Sequence, residues 1–237
     1  MIVMCFNIVI YNPNGKNLKK IFRAINRYAR INKDGFSMWT PNIYVRTLDF
    51  NEFLLAQTMA RNSNIVHIHF RLASQGAVNL ENVHMWKVGN YYVSHNGYVG
   101  KYCLQWNLCT LDKYFPGVYY PIPTMPMVDD TKSDTYKLIT DENFVKYVEQ
   151  KSWEQLMQYL RSVNFYGVMF LTNENEMIGF SVNKGIHITF TKGILTFSNA
   201  PIRVTSFKRY GIGLKAERII KNTILRFDFN DETLEVI

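Results

Sequence analysis

The chemistry-bearing residues of this chain concentrate between Asn64 and Gly97, NIVHIHFRLASQGAVNLENVHMWKVGNYYVSHNG, which holds four of the five histidines. From Ile65 to Arg71 the residues alternate. Val66, Ile68 and Phe70 point to one side of a strand and His67, His69 and Arg71 to the other, because strand side chains repeat every two residues. One face reads as core and the other as polar. A second strand, Tyr91 to Ser94, runs into His95-Asn96-Gly97, where a side-chain amide stands beside a glycine whose N–H a ligand can approach with no Cβ in the way. A guanidinium and an amide donor at the ends of neighbouring strands suit a substrate that carries a carboxylate and develops an oxyanion. Three other readings of the same residues stand beside this one. His67 and His69 can be hydrogen-bonded imidazoles at a core edge, Asn96-Gly97 can be a tight hairpin turn, and His67, His69, His84 and His95 can gather on one metal ion. No carboxylate or cysteine at ligand spacing completes a metal pattern, so neither metal nor cofactor is expected.

The segments that position these residues are legible from pattern. Cys5 to Tyr11, CFNIVIY, is an apolar run rich in β-branched residues and reads as a buried strand ended by Asn12-Pro13-Asn14-Gly15. On such a strand Cys5 reads as a small core residue. The following stretch is an amphipathic helix, with Leu18, Ile21, Phe22, Ile25 and Tyr28 on one face and Lys16, Lys19, Lys20, Arg23, Arg27 and Arg30 on the other. Phe36 to Trp39 and Asn42 to Leu48 read as strands, and Asp49 with Glu52 forms a capping-box start to a helix through about Arg61. Tyr102 to Lys132 holds four of the seven prolines together with Trp106, Tyr114, Phe115, Tyr119 and Tyr120; a loop this long and aromatic suits a lid, a partner-docking surface or an ordinary packed loop. Two helices follow, Ser133 to Gln150 and Ser152 to Val163, the second with Ser152 and Gln155 as a capping box. Hairpins then pair GVMFLT with MIGFSV and IHITF with ILTFS, and a short helix near Lys215 to Lys221 precedes a last pair, TILRFDF and TLEVI. Composition alone says mixed α and β; the order of strands, helices and strands fits two antiparallel sheets between helical layers.

At 237 residues the chain is long enough for one full core, and with 47% hydrophobic and 19% charged residues it is globular. No apolar run approaches the roughly 20 residues of a membrane span, and no secretory signal is visible. A soluble cytoplasmic protein is expected, in host cytoplasm if virus-encoded, and three cysteines without metal spacing agree with a reducing compartment. The formal charge of +8 is local: residues 1–33 carry seven Lys or Arg and no acid. A solvated helix face is the reading preferred for this excess. Nucleic acid ranks second, because no aromatic residues interleave with the charges.

Taken in order, Met4-Cys5, Asn32-Lys33-Asp34-Gly35, His69-Phe70-Arg71-Leu72-Ala73-Ser74-Gln75-Gly76, Asn82-Val83-His84, His95-Asn96-Gly97 and Ser133-Asp134-Thr135 resemble the class II glutamine amidotransferase domain of the N-terminal nucleophile hydrolases. The resemblance is closest to small stand-alone members, often phage or virus encoded, and covers roughly the first 150 residues; GILTFSNAP, Gly193 to Pro201, is similar to a late strand of that fold. It implies an α+β fold, a four-layer αββα sandwich of two antiparallel sheets. Residues 1–237 would form a single domain, with 1–4 as a leader and 102–132 as a loop insertion.

The resemblance also implies roles. Cys5 would attack glutamine or a related small amide with its own α-amino group as base, giving a thioester and ammonia. Asn96 and Gly97 would form the oxyanion hole, Arg71 would clamp the substrate carboxylate and Asp134 would take its ammonium. Ser74, where the family often has threonine, would help bind substrate or serve as a turn hydroxyl. Ammonia would be released or passed to a separate acceptor enzyme. Such a mechanism requires nothing to precede Cys5, and four residues precede it. Initiation at Met4 with loss of the methionine, or removal of Met1-Ile2-Val3-Met4 as a propeptide, would free the amine. If neither occurs, the alternative is a catalytically inactive relative that binds through its basic helix or aromatic loop.

Overall fold

A computed structural model describes residues 5–102, 131–200 and 216–237; the expected leader and most of the Pro-rich loop lie outside them. Thirteen strands are described in chain order: β1 (Phe6–Tyr11), β2 (Phe36–Thr40), β3 (Ile43–Thr47), β4 (Ile65–Phe70), β5 (Trp86–Val88), β6 (Tyr91–Val99), β7 (Phe165–Thr172), β8 (Glu176–Val182), β9 (Gly185–Thr191), β10 (Ile194–Ser198), β11 (Ala216–Lys221), β12 (Ile224–Asp228) and β13 (Leu234–Val236). Five α-helices accompany them among the described residues: α1 (Lys19–Ala29), α2 (Phe50–Met59), α3 (Asp134–Ile139), α4 (Glu142–Glu149) and α5 (Trp153–Ser162). One sheet runs β11-β9-β10-β1-β4-β2-β3 and the other β13-β12-β8-β7-β6-β5. Their strand pairs are antiparallel.

The period of two along each central strand sorts side chains into separate cores. Phe6, Ile8 and Ile10 of β1 and Val66, Ile68 and Phe70 of β4 pack with Ile21, Phe22 and Ile25 of α1 and Phe53 of α2. Tyr91 and Val93 of β6 pack against Leu138, Phe144, Val148, Leu156 and Leu160 of α3, α4 and α5. Between the sheets lies a third core that includes Val9, Trp39, Val168, Phe170, Phe197 and Phe227. These cores make the layers α, β, β, α. Among the described residues no helix is long and apolar enough to cross a membrane.

Several expectations need correction. The polar face of β4 is buried like its apolar face, because it looks into the sandwich rather than to water. Asn96-Gly97 is strand within β6, not a turn. The single helix expected over 133–150 is two, since Asp141 adopts an extended backbone and its carboxylate accepts the Asn143 N–H as a new N-cap. Neither capping box forms: Asp49 caps α2 through Asn51, Glu52 instead accepts from the Thr47 hydroxyl, and Ser152 makes no side-chain cap. Ala216–Lys221, rich in helix formers, is a strand on the edge of β9. Ile220 enters the core between the sheets while Ile219 stays half exposed, and this packing overrides local propensity.

Candidate active site

Antiparallel pairing gathers the singled-out residues at one end of the sandwich. Phe6 pairs with Phe70, so Cys5, just before β1, meets Leu72, just past β4. The Leu72 N–H lies 3.2 Å from Cys5 Sγ, and the thiol lies 3.4 Å from the Leu72 carbonyl. Asn199, just past β10, donates to the Cys5 carbonyl at 3.1 Å and accepts the Asn7 N–H at 2.5 Å, bracketing the cysteine. In the facing sheet Gly97 pairs with Gly167, which in turn pairs with Val182 at the end of β8. There the chain passes from one sheet to the other through Asn183-Lys184.

The Arg71 guanidinium is buried at 2% exposure and donates to the carbonyls of Ala77 (3.0 Å), Gln75 (3.0 Å) and Gly76 (3.4 Å). In this structure it braces its own loop. The Asp34 carboxylate accepts the Ala73 N–H at 2.8 Å. Asn82 donates to the carbonyls of Ala77 (3.0 Å) and Thr131 (2.6 Å) and accepts the Ser133 N–H at 2.8 Å. At Gly76 a Cβ would stand 2.6 Å from the Ser133 nitrogen, so only glycine permits the loop to press on the start of α3. Asp134, at that start, accepts the N–H groups of Val99 (2.7 Å) and Thr135 (2.8 Å). The spaced motifs are thus one hydrogen-bonded assembly. Ser74 lies exposed on the bend of the loop. Asp34, Asn82 and Asn199 were visible only as parts of motifs, and Lys184 carried no signal beyond joining strands.

The four histidines part company. His67 bonds Thr172 Oγ1 (2.7 Å), Ser94 Oγ (2.5 Å) and Asn7 Oδ1 (3.2 Å) between the sheets. His69 stacks on His84 at 3.9 Å, whereas His95 points to the helical side and bonds Thr135 Oγ1 at 2.9 Å. Among the described residues no group of His, Cys, Asp and Glu is arranged to hold a metal. Burial pulls His67 and His95 down to about 3, and His69 and His84 well below the ordinary imidazole value, so all four are neutral at neutral pH. Because the unfolded imidazoles protonate near 6.5, acid favours the unfolded chain throughout the window from about 6.5 down to the folded values. The cost is about 1.4 kcal/mol per pH unit for each imidazole. Urea midpoints should therefore fall steadily from pH 6.5 to 4.5; a flat profile over that range would contradict neutral burial.

Asn96 is fully buried, its Oδ1 lies 3.4 Å from Lys184 Nζ, and its Nδ2 has no partner within the chain. Buried donors are normally satisfied, and one left open beside a glycine N–H is what a developing oxyanion requires. Asn7 Nδ2 and His69 Nδ1 are also open. Burial pushes the Cys5 thiol up, opposed by the Leu72 N–H and the Arg71 guanidinium and reinforced by the Asp134 carboxylate. The resting thiol is protonated and needs a base. A cavity of about 260 Å³ adjoins this end, lined by Tyr98, Arg161, Tyr166 and Asn183 among others; its lining does not include Cys5.

No family model and no curated protein matches the sequence. Solved structures do match. Glutamine phosphoribosylpyrophosphate amidotransferase from B. subtilis, complexed with ADP and GMP, superposes with a TM-score of 0.55 at 13% identity over 98% of this chain and 49% of that one. An allosteric regulatory enzyme of purine biosynthesis gives 0.58 at 13% identity over 98% and 48%. A glutamine aminotransferase class-II domain protein from Silicibacter pomeroyi gives 0.54 at 9% identity over 98% of both chains. The chain spans about half the length of the first two. Its fold, two antiparallel sheets between helical layers, is the αββα sandwich it shares with these amidotransferase structures.

Proposed function

We propose that this chain is a cysteine-dependent glutamine amidohydrolase, or the glutaminase component of an amidotransferase. The observation that carries the reading is the open, buried Asn96 Nδ2 beside Gly97, at the end of the sandwich where Cys5 also lies. The thiol proton passes to the Cys5 α-amine, freed when residues 1–4 are absent, and the sulfur bonds to the side-chain amide carbon of glutamine. Asn96 Nδ2 and the Gly97 N–H hold the tetrahedral oxyanion. The C–N bond then breaks, and ammonia leaves with the transferred proton. Water attacks the thioester, releasing glutamate and restoring the thiol. Asp134 receives the substrate ammonium, Arg71 its carboxylate, and Ser74 borders the entrance. Ammonia goes to water or to a separate acceptor enzyme.

The test is ammonia release from glutamine, together with N-terminal sequencing of the active species. Release that is confined to chains beginning at Cys5 is the expected result. Retention on nucleic acid that weakens with salt, with no ammonia formed, would replace this reading with a binding role. For Arg71→Lys, a single ammonium cannot reproduce the planar fork; KM should rise about 10-fold to 100-fold with a smaller change in kcat. Because Arg71 also braces residues 75–77, the melting temperature should fall too. An unchanged KM would remove Arg71 from the substrate site.

A further inference from the structure

Lys184 lies on the crossover that joins β8 of one sheet to β9 of the other, at the end of the sandwich where β1 begins and β6 approaches its end. The crossover is pinned. Ser181 Oγ donates to the Lys184 carbonyl, and the Asn183 N–H donates to Asn222 Oδ1 at 2.6 Å. From this position Nζ reaches to 3.4 Å from Asn96 Oδ1 and 5.4 Å from the centre of the Tyr166 ring.

A carboxamide is nearly symmetric in shape, so its oxygen and nitrogen exchange places on a flip, and only its partners decide which end points where. An ammonium has three donors and no acceptor, so it selects the oxygen. With Oδ1 held by Lys184, Nδ2 is left as the buried donor that has no partner within the chain.

We propose that Lys184 is a positioning residue of the oxyanion hole: its ammonium fixes the Asn96 carboxamide with Nδ2 free for the oxyanion. The proposal rests on the glutaminase reading above. The titratable groups that act on Lys184 include Cys5 before β1 and His95 of β6, and the Tyr166 ring of β7 lies against it. Burial pulls the amine down to about 8, opposed by Cys5. Above that pH the neutral amine gains a lone pair, can accept from Nδ2, and no longer selects the oxygen. An alkaline limb in kcat follows.

The experiment follows glutamine turnover against pH for the full chain, Lys184→Met and Lys184→Arg. Lys184→Met should lower kcat about 10-fold to 100-fold, a fraction of the loss typical of a missing oxyanion donor, with KM within about threefold. Lys184→Arg should restore most of kcat and lose the alkaline limb near pH 8. An active parent with wild-type kcat and an unchanged pH profile in Lys184→Met would overturn the proposal and leave the glutaminase reading standing. A parent chain that releases no ammonia from glutamine would overturn the glutaminase reading, and the proposal with it.

Discussion

Cys5→Ala should abolish ammonia release from glutamine, lowering kcat by about 10⁴-fold or more, because covalent catalysis has no second route once the sulfur is gone. No other residue in the assembly substitutes for it. His67, His69, His84 and His95 are neutral and buried, and the Ser94 hydroxyl is consumed by His67 and Asn7. The fold should survive, since among the described residues the Cys5 side chain hydrogen-bonds to the Leu72 backbone, and Asn199 grips the Cys5 carbonyl rather than its side chain. A stability loss of about 1 kcal/mol is the expected scale. The paired measurement is ammonia release and thermal unfolding on the same preparation. Hydrolysis within tenfold of the parent would end the cysteine mechanism, whatever the stability.

Gly97→Ala should do the opposite and strike fold and activity together. Gly97 has φ +155°, and a Cβ there would stand 1.7 Å from the Tyr166 carbonyl oxygen and 2.8 Å from Gly167 Cα. Those atoms belong to the neighbouring strand backbone, which the β6–β7 ladder holds from Tyr92–Thr172 to Val99–Phe165 and which cannot yield as a flexible side chain would. The partner Gly167 has the same constraint, with φ +143° and a Cβ that would meet the Asn96 carbonyl at 2.1 Å. Two glycines face each other because both strands need the room. The expected cost is about 4 kcal/mol or more, or about 10 °C in melting temperature for a domain of this size, with glutamine hydrolysis lost at any temperature where the variant remains folded. A melting temperature within about 3 °C of the parent would mean that the strands can part at this point, and that Gly97 is not needed for the approach.

The sequence by itself determined the central strands: a period of two with Val, Ile and Phe on one face marks β4, and a short apolar run rich in β-branched residues, ended by Asn12-Pro13-Asn14-Gly15, marks β1. It also determined the hairpins β7–β8, β9–β10 and β12–β13, bounded by polar turns, and the amphipathic α1, whose Ile21, Phe22 and Ile25 are buried as the spacing requires. The ordered motifs were enough to name the fold that the solved structures share. What local pattern could not decide was anything set by the opposite sheet. The histidine face of β4 read only as polar, with buried imidazoles at a core edge as one alternative; it is interior because a second sheet covers it. Residues 216–221 looked helical and are an edge strand, because β9 offers an unpaired ladder. Asn96-Gly97 carried the turn signal and lies inside a strand, because Gly167 makes room across the ladder. Lys184 carried no signal in the sequence beyond joining two strands. It stands beside Asn96, 88 residues away in the chain, because one crossover between two sheets ends where another strand does. Periodicity reports which way a side chain points; what waits there is decided by residues distant in sequence, and only the packed sandwich brings them together.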